Sequence, residues 1–415
     1  MSTAKTKKNG KSPGKESPAP KSKTGTKKAA ATEAQPKPAG PSQGRVFFVT
    51  GYPGFIGKRL VEALARRYLG AKIYVLVQEK FERGAELYVE DLRACGDCAQ
   101  IEVLVGDIID IDLGLSGEEY KRLVEEVTDV FHLAAINYLG VRAEIVRRVN
   151  VEGTRRVIEL CRDLKRLRRL NHMSTAFVSG SRQGIIAEDE LELGQSFRNP
   201  YEETKYQAEV LVQDAAAHLP VSIYRPSIVV GDSNTGEIDR LDGPYYLGIL
   251  LVTSPLAVPL PLPGDTSAPL NVVPVDFVID AMLALSEHPE AEGEIFHLVD
   301  PNPMSSRRVY ERIAESTGKR MPRLNLSYRM TDTLMRLPVV ERLIRQQRQA
   351  VAYVNHLAIY NSHNTQRLLD GSGVRCPPLH SYLDRLIEYA RAYYRARHGE
   401  EGPEASDAAL DEARA

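Results

Sequence analysis

The sequence predicts an α/β protein, a doubly wound parallel sheet with a smaller, irregular lobe toward its C-terminus, on three observations. Between Arg45 and Val230, apolar runs of strand length alternate with stretches whose apolar residues recur at helical spacing. A glycine-rich turn follows the first of these runs and opens the first helical stretch. Beyond Val230 the alternation breaks into proline- and glycine-rich sequence. Strand, helix, strand in that rhythm requires right-handed crossovers, and therefore parallel strands covered on both faces.

Taken in order, Val46–Thr50 is a β-branched and aromatic run, after which Ile56, Leu60, Ala63 and Leu64 follow helical spacing. Ile73–Val77, Ile101–Val105, Val130–Ala134 and Leu170–Ser174 are the next buried strands, with helical stretches between most of them. Helices are expected near Val275–Glu287, Ser305–Thr317 and Leu379–Arg395. A sheet of this kind binds its ligands at the carboxyl ends of the strands.

Charge marks the boundaries. The 415 residues carry 54 Lys+Arg and 55 Asp+Glu, yet residues 1–44 hold ten Lys, two Glu and no Leu, Ile, Val or aromatic residue. Residues 399–415 hold six acids and one Arg. Neither segment buries enough to offset about 1–2 kcal/mol of backbone ordering entropy per residue, so a disordered basic tail (1–44) and a disordered acidic tail (399–415) are expected. Between them the expectation is a sheet domain over 45–230 and a substrate lobe over 231–398 whose elements return to the sheet. The longest apolar stretch, Tyr245–Leu262, contains three prolines and is a poor membrane span, and the N-terminus lacks the apolar core of a secretion signal. A cytoplasmic protein is expected, with weak contact to a membrane surface or another anionic polymer through the basic tail as a secondary expectation. That tail interleaves no aromatic residue for base stacking, so no specific nucleic-acid binding is expected. Cys95-Gly96-Asp97-Cys98 has ligand spacing but no second Cys/His pair, and no metal site is expected.

The motifs point to a dinucleotide. Gly51-Tyr52-Pro53-Gly54-Phe55-Ile56-Gly57 stands between strand and helix, where glycines permit a tight turn and a close approach of backbone to pyrophosphate. The next strand ends at Val77-Gln78-Glu79-Lys80, with Arg83 beyond. A neutral Gln78 followed by cations favours NADP(H) over NAD(H). Gly106-Asp107-Ile108 ends the third strand and places Asp107 to accept from an adenine amino group. Ala134 and Ala135 end the fourth and leave room for cofactor against backbone. His132, alone in an apolar strand, reads as a core residue, and Asn150-Val151-Glu152-Gly153-Thr154 as the opening of another helix. Tyr201 and Lys205 lie four residues apart on a helix that Asn199 and Pro200 would start, so they share a face, and an ammonium there would bring the phenol toward neutral pH. Ser174-Thr175-Ala176 ends the fifth strand and carries a hydroxyl to the same edge.

In this order the motifs, together with Tyr224-Arg225-Pro226-Ser227, resemble the extended short-chain dehydrogenase/reductases, a family built on the NAD(P)-binding Rossmann fold, over about Arg45 to Leu379. The resemblance implies that Thr175, five residues before Gly180, is the catalytic hydroxyl, with Ser174 as the alternative. It makes Tyr201 the acid/base, Lys205 its partner, and sets Arg225, Pro226 and Ser227 beside the nicotinamide. It also implies a homodimer. Sugar-nucleotide members carry an Asn where this chain has Ile228, and the runs Arg225–Asp232 and Asn271–Val278 look instead like the fatty acyl-CoA reductase and thioester reductase branch, which reduces acyl thioesters with NADPH. A lipid-like small-molecule substrate is therefore expected, an acyl thioester or a ketone of 3-hydroxysteroid type. A nucleotide-sugar epimerase or dehydratase and a non-catalytic cofactor-binding regulator are the alternatives. Tyr245–Leu262 is the expected apolar contact for that substrate, and Met330–Ile344 a basic amphipathic stretch.

Overall fold

The computed structural model describes residues 44–94, 96, 98–137, 141–239, 267–317, 353 and 356–398. Tyr245–Leu262, Met330–Ile344, Cys95, Asp97 and both tails lie outside them.

The first half of the chain alternates as its apolar pattern dictates: β1 (Val46–Thr50), α1 (Phe55–Arg67), β2 (Lys72–Val77), α2 (Glu82–Ala94), β3 (Gln100–Val105), α3 (Gly117–Glu126) and β4 (Asp129–His132). Ser116 and Glu119 close a reciprocal capping box at the start of α3. Next come α4 (Ala143–Arg147), α5 (Gly153–Asp163) and β5 (Arg169–Met173), then β6 (Gly184–Ile186), α6 (Pro200–Ala215), β7 (Val221–Pro226) and β8 (Ile228–Val230). After residue 267 the described elements are β9 (Val272–Pro274), α7 (Val275–Glu287), β10 (Ile295–Leu298), α8 (Ser306–Thr317), β11 (Ala358–Tyr360), α9 (His363–Leu369) and α10 (Leu383–His398).

Seven strands form one sheet in the order β10-β7-β5-β4-β1-β2-β3, every neighbouring pair parallel. The order reverses between β1 and β4. Pairs β11-β6 and β8-β9 form two small parallel ribbons. Both faces of the main sheet are covered: Leu60 and Leu64 of α1 pack with Val278 and Met282 of α7 on one side, and Leu123, Val157 and Val212 of α3, α5 and α6 on the other. Each such fully buried aliphatic residue contributes roughly 1.5–3 kcal/mol.

Two local expectations shift. Asn150–Thr154 does not open a helix: helical backbone already runs from Ala143, and Arg148–Glu152 forms a π-helical turn between α4 and α5. Its cause is Asn150, whose Oδ1 accepts from the Ile136 N–H at 2.7 Å while Nδ2 donates to the Ile136 carbonyl at 3.1 Å and to Thr204 Oγ1 at 3.0 Å. Strand β7 also extends through Pro226, so Arg225, expected beside the nicotinamide, lies within the sheet.

At the opposite edge, Arg45 ties three elements together. Its guanidinium reaches Asp129 at 2.9 and 3.0 Å and Glu287 at 2.9 and 3.1 Å, and stacks over Phe47 and Tyr68. Burial would raise the Glu287 carboxyl, but the hydrogen bond and charge of Arg45 hold it below its ordinary value. That contribution is present at neutral pH and is lost as pH falls through the depressed folded value. Arg45→Met strands the buried Asp129 charge and is expected to cost about 3–5 kcal/mol, read as a lower urea midpoint with unchanged slope.

Candidate active site

A cleft of about 1360 Å³ opens along the carboxyl ends of the central strands, at the point where the strand order reverses. The glycine turn forms its floor. Gly51 has φ +87°, and a Cβ there would sit 2.7 Å from the Ala134 nitrogen, while a Cβ on Gly57 would sit 2.5 Å from the Gly51 carbonyl oxygen. No side chain caps the N-terminus of α1. Its first N–H groups and partial positive charge thus face a cradle that only glycine leaves open, which fits a dinucleotide pyrophosphate. Tyr52, Pro53, Gly54, Phe55 and Ile56 line the same floor.

Gln78 and Asp107 also line the cleft, at the ends of β2 and β3, with Gln78 Nε2 donating to Asp107 Oδ2 at 2.6 Å. Ile108, Ala134 and Ala135 complete that wall, joined by Lys80 but not by Arg83. Behind Ala134 runs a buried chain whose polarity can be assigned. The Thr154 hydroxyl donates to the Asn150 carbonyl at 2.7 Å, so at 2.9 Å it must accept from His132 Nε2–H. Nδ1 then accepts from the Thr50 hydroxyl at 2.8 Å, and Thr50 Oγ1 accepts from the Ala134 N–H at 3.3 Å. Burial, with Lys205 adding to it, pushes the His132 imidazole down to about 3, in keeping with this neutral tautomer. His132 is a core residue that sets the backbone at the end of β4.

Helix α6 starts as its sequence requires: Asn199 Oδ1 accepts from the Glu202 N–H at 3.0 Å, and Pro200 occupies the first turn. It brings Tyr201 and Lys205 to the cleft beside Thr175, which follows β5. The Thr175 hydroxyl stands close enough to the Tyr201 phenol to act on its proton affinity. Thr175 Oγ1 also reaches the Pro226 carbonyl at 3.4 Å and accepts from the Phe177 N–H at 3.3 Å. Lys205 Nζ donates to the Met173 carbonyl at 2.6 Å. Pro226 and Ser227 line the cleft opposite, the Ser227 hydroxyl donating to Asn271 Oδ1 at 2.8 Å.

Three expectations are corrected here. The Tyr201 phenol is not brought down by Lys205: burial pushes it up to about 12, with the Thr175 hydroxyl opposing and the Glu202 charge adding. Ser174 turns its hydroxyl to Glu209, which leaves Thr175 as the hydroxyl beside Tyr201. Arg225 does not line the cleft. It is fully buried within β7, and its guanidinium is committed to Glu209, through Nε at 3.0 and 3.2 Å and through Nη2.

Other cleft residues escaped the sequence reading. Phe177 and Tyr353 pack edge to face at 4.9 Å beside Thr175, and Tyr353 donates to the buried Glu202 at 2.7 Å. A far wall comes from Val309 and Ile313 of α8 and from Leu383, Leu386 and Ile387 of α10. Their helical spacing was visible, but nothing local marked that face as part of a site. Substituting Gly51 by Ala forces a Cβ into backbone at a left-handed φ, and is expected to weaken NAD(P)H binding at least about tenfold in a fluorescence titration.

Residues 49–282 match a model of NAD-binding domains described as male sterility protein. The fatty acyl-CoA reductase wat of Drosophila melanogaster is 31% identical over 276 residues, covering 57% of this chain and 53% of its own. The chain thus spans about half the length of the curated relatives it matches. Of solved structures, the terminal R domain from the myxalamid PKS-NRPS biosynthetic pathway matches with a TM-score of 0.70 at 28% identity, covering 87% of this chain and 92% of that domain. UDP-glucuronic acid 4-epimerase from Bacillus cereus, solved with NAD, matches at a TM-score of 0.62 and 19% identity over 85% and 99% of the two chains, and shows the shared fold alone. With more than half of its length matched, the chain belongs to the male sterility protein family of NAD(P)-binding domains, within the extended short-chain dehydrogenase/reductases.

Proposed function

We propose that the chain is an NADPH-dependent reductase of acyl thioesters carrying long apolar acyl groups. The carrying observation is the convergence of Thr175, Tyr201 and Lys205 in a cleft whose far wall is aliphatic. Ile228, Val309, Ile313, Leu383, Leu386 and Ile387 offer an acyl chain apolar surface worth roughly 25 cal/mol per Å² buried. Preference for NADPH is supported by Lys80 at the end of β2 and by Gln78, whose amide is taken up by Asp107. The names of the fatty acyl-CoA reductase relative and of the R domain agree with this substrate class.

A bound nicotinamide would supply hydride to the carbonyl carbon. Tyr201, which holds its proton through neutral pH, gives it to the carbonyl oxygen, and Thr175 hydrogen-bonds the same oxygen. Lys205, one turn along the same face of α6 with its ammonium on the Met173 carbonyl, would supply positive charge to the site as that proton leaves. With a thioester, collapse of the resulting adduct expels the thiol and leaves an aldehyde. With an aldehyde or ketone, the same transfer ends at the alcohol.

The test follows nicotinamide absorbance with NADPH and NADH over long-chain acyl-CoA, fatty aldehyde and 3-ketosteroid substrates, and follows UDP-sugars by chromatography of the sugar products, since their epimerisation leaves the nicotinamide unchanged overall. The expected result is NADPH oxidation with acyl-CoA. Turnover of UDP-sugars instead would overturn the proposal. Tyr201→Phe is expected to lower kcat by about 10²–10⁴-fold with cofactor affinity unchanged. A variant that keeps full activity would exclude Tyr201 as the proton donor. Burial pulls the Lys205 ammonium down to about 8, with the Glu209 charge opposing. Activity is therefore expected to decline as pH rises through about 8, while Tyr201 stays protonated. A flat profile through that region would show that the ammonium is not needed.

A further inference from the structure

Beneath the cleft lies a charged cluster that no contact with substrate or cofactor accounts for. Glu209 and Arg225 are both completely buried, and they form a fork-to-fork ion pair, with Nη2 to Oε1 and Nε to both oxygens. Arg225 Nη1 donates to the Glu188 carbonyl at 3.0 Å and to His297 Nε2 at 3.4 Å. His297 Nδ1 donates in turn to the Asn361 carbonyl at 2.6 Å, so Nε2 is free of a proton and accepts. The guanidinium is thus satisfied on every side. Two charges taken wholly out of water give little net stability over an apolar pair of the same volume. A pair held at this cost calls for a role beyond stability.

Its connections supply one. The second Glu209 oxygen accepts from the Ser174 hydroxyl, and Ser174 immediately precedes Thr175. Arg225 immediately precedes Pro226, whose carbonyl receives the Thr175 hydroxyl at 3.4 Å. One carboxylate therefore grips the residue before each of the two that set the catalytic hydroxyl. Glu209 also stands one helical turn beyond Lys205 on the buried face of α6, so Tyr201, Lys205 and Glu209 are spaced four residues apart along one helix.

Resting on the proposed catalytic trio, the geometry points to Glu209 as a positioning residue, a buried carboxylate that fixes the corner carrying Thr175 and stands one helical turn from Lys205, with Arg225 as its counterion. It touches neither substrate nor cofactor and acts through Thr175 and Lys205. The other titratable groups around Lys205 are His132 and His172, both held neutral by burial, and Tyr201 on the cleft side. Glu209 is the negative charge set against the ammonium.

Glu209→Gln keeps the volume and one acceptor while removing the charge. It also leaves the buried Arg225 without its counterion, so the expected results are a lowered but still cooperative melting curve, an NADPH Kd near wild type at pH 7, a kcat lowered about tenfold or more, and an alkaline limb moved to lower pH, because Lys205 loses the charge that supports its proton. Ser174→Ala removes one grip and keeps the charge, so kcat should fall with the alkaline limb in place. Glu209→Asp should restore the limb ahead of kcat. A folded Glu209→Gln with wild-type kcat and an unmoved limb would overturn the inference. If that variant does not fold, Ser174→Ala decides, and wild-type kcat there overturns it equally. A wild type that reduces no substrate of the panel counts against the proposed reaction alone. The Glu209 role is then read from NADPH affinity as a function of pH, whose inflection should move downward in Glu209→Gln and would refute the role by staying in place.

Discussion

The site depends on β1 and β4 lying side by side while the chain leaves them in opposite directions. Their register sets Thr50 against His132, and the glycine turn and the Ala134-Ala135 wall take their positions from that pairing. A parallel sheet covered on both faces has no room for a ligand except at the strand ends, and the reversal of strand order is where the crossing helices part. Gly51 shows how close the approach is, since the backbone of Leu133 and Ala134 occupies the space of a side chain. The His132 hydrogen-bond chain then locks the far side of that contact from Thr50 to Asn150 without exposing a polar atom to the cleft.

Helix α6 joins this sheet edge to the chemistry. Its buried face holds Glu202, Lys205 and Glu209 where an ordinary amphipathic helix would carry aliphatic residues. Each finds a partner on a different element: Arg198 just ahead of the helix, the Met173 carbonyl at the end of β5, and Arg225 in β7. The helix is held by directional bonds more than by a greasy stripe. Directional bonds fix rotation and register, which is what two groups destined for one carbonyl oxygen require.

Much of this was legible because it is local. The glycine turn, the Asn199-Pro200 start and the Tyr201–Lys205 spacing each encode their geometry within eight residues, and the structure assembles them at one edge. Arg225 was misplaced for the opposite reason. Its neighbours in sequence are cleft residues, but alternation along β7 turns its side chain away from Pro226's side of the strand, toward a carboxylate 16 residues earlier. A signal existed in Glu209, a charged residue in phase with Tyr201 and Lys205. Tyr353 offered none, because its contacts to Glu202 and Asn199 span more than 150 positions. The π-helical turn at Asn150 was hidden likewise, since it answers to the backbone of Ile136 rather than to any helix propensity.

Burial acts on the two ionisable members of the trio in opposite senses, and that difference assigns their roles. Removing water disfavours whichever form is charged, so the same surroundings raise the phenol of Tyr201 and lower the ammonium of Lys205. A phenol raised above its ordinary value gives up its proton only to an oxygen that is becoming an alkoxide. In the proposed reduction that oxygen belongs to the carbonyl under hydride attack. Lys205 would drift toward neutrality under burial alone, and the Glu209 carboxylate one turn along opposes that drift. In the proposed reaction, the order Tyr, Lys, Glu along one face of α6 is thus a sequence of proton donor, charge and counter-charge.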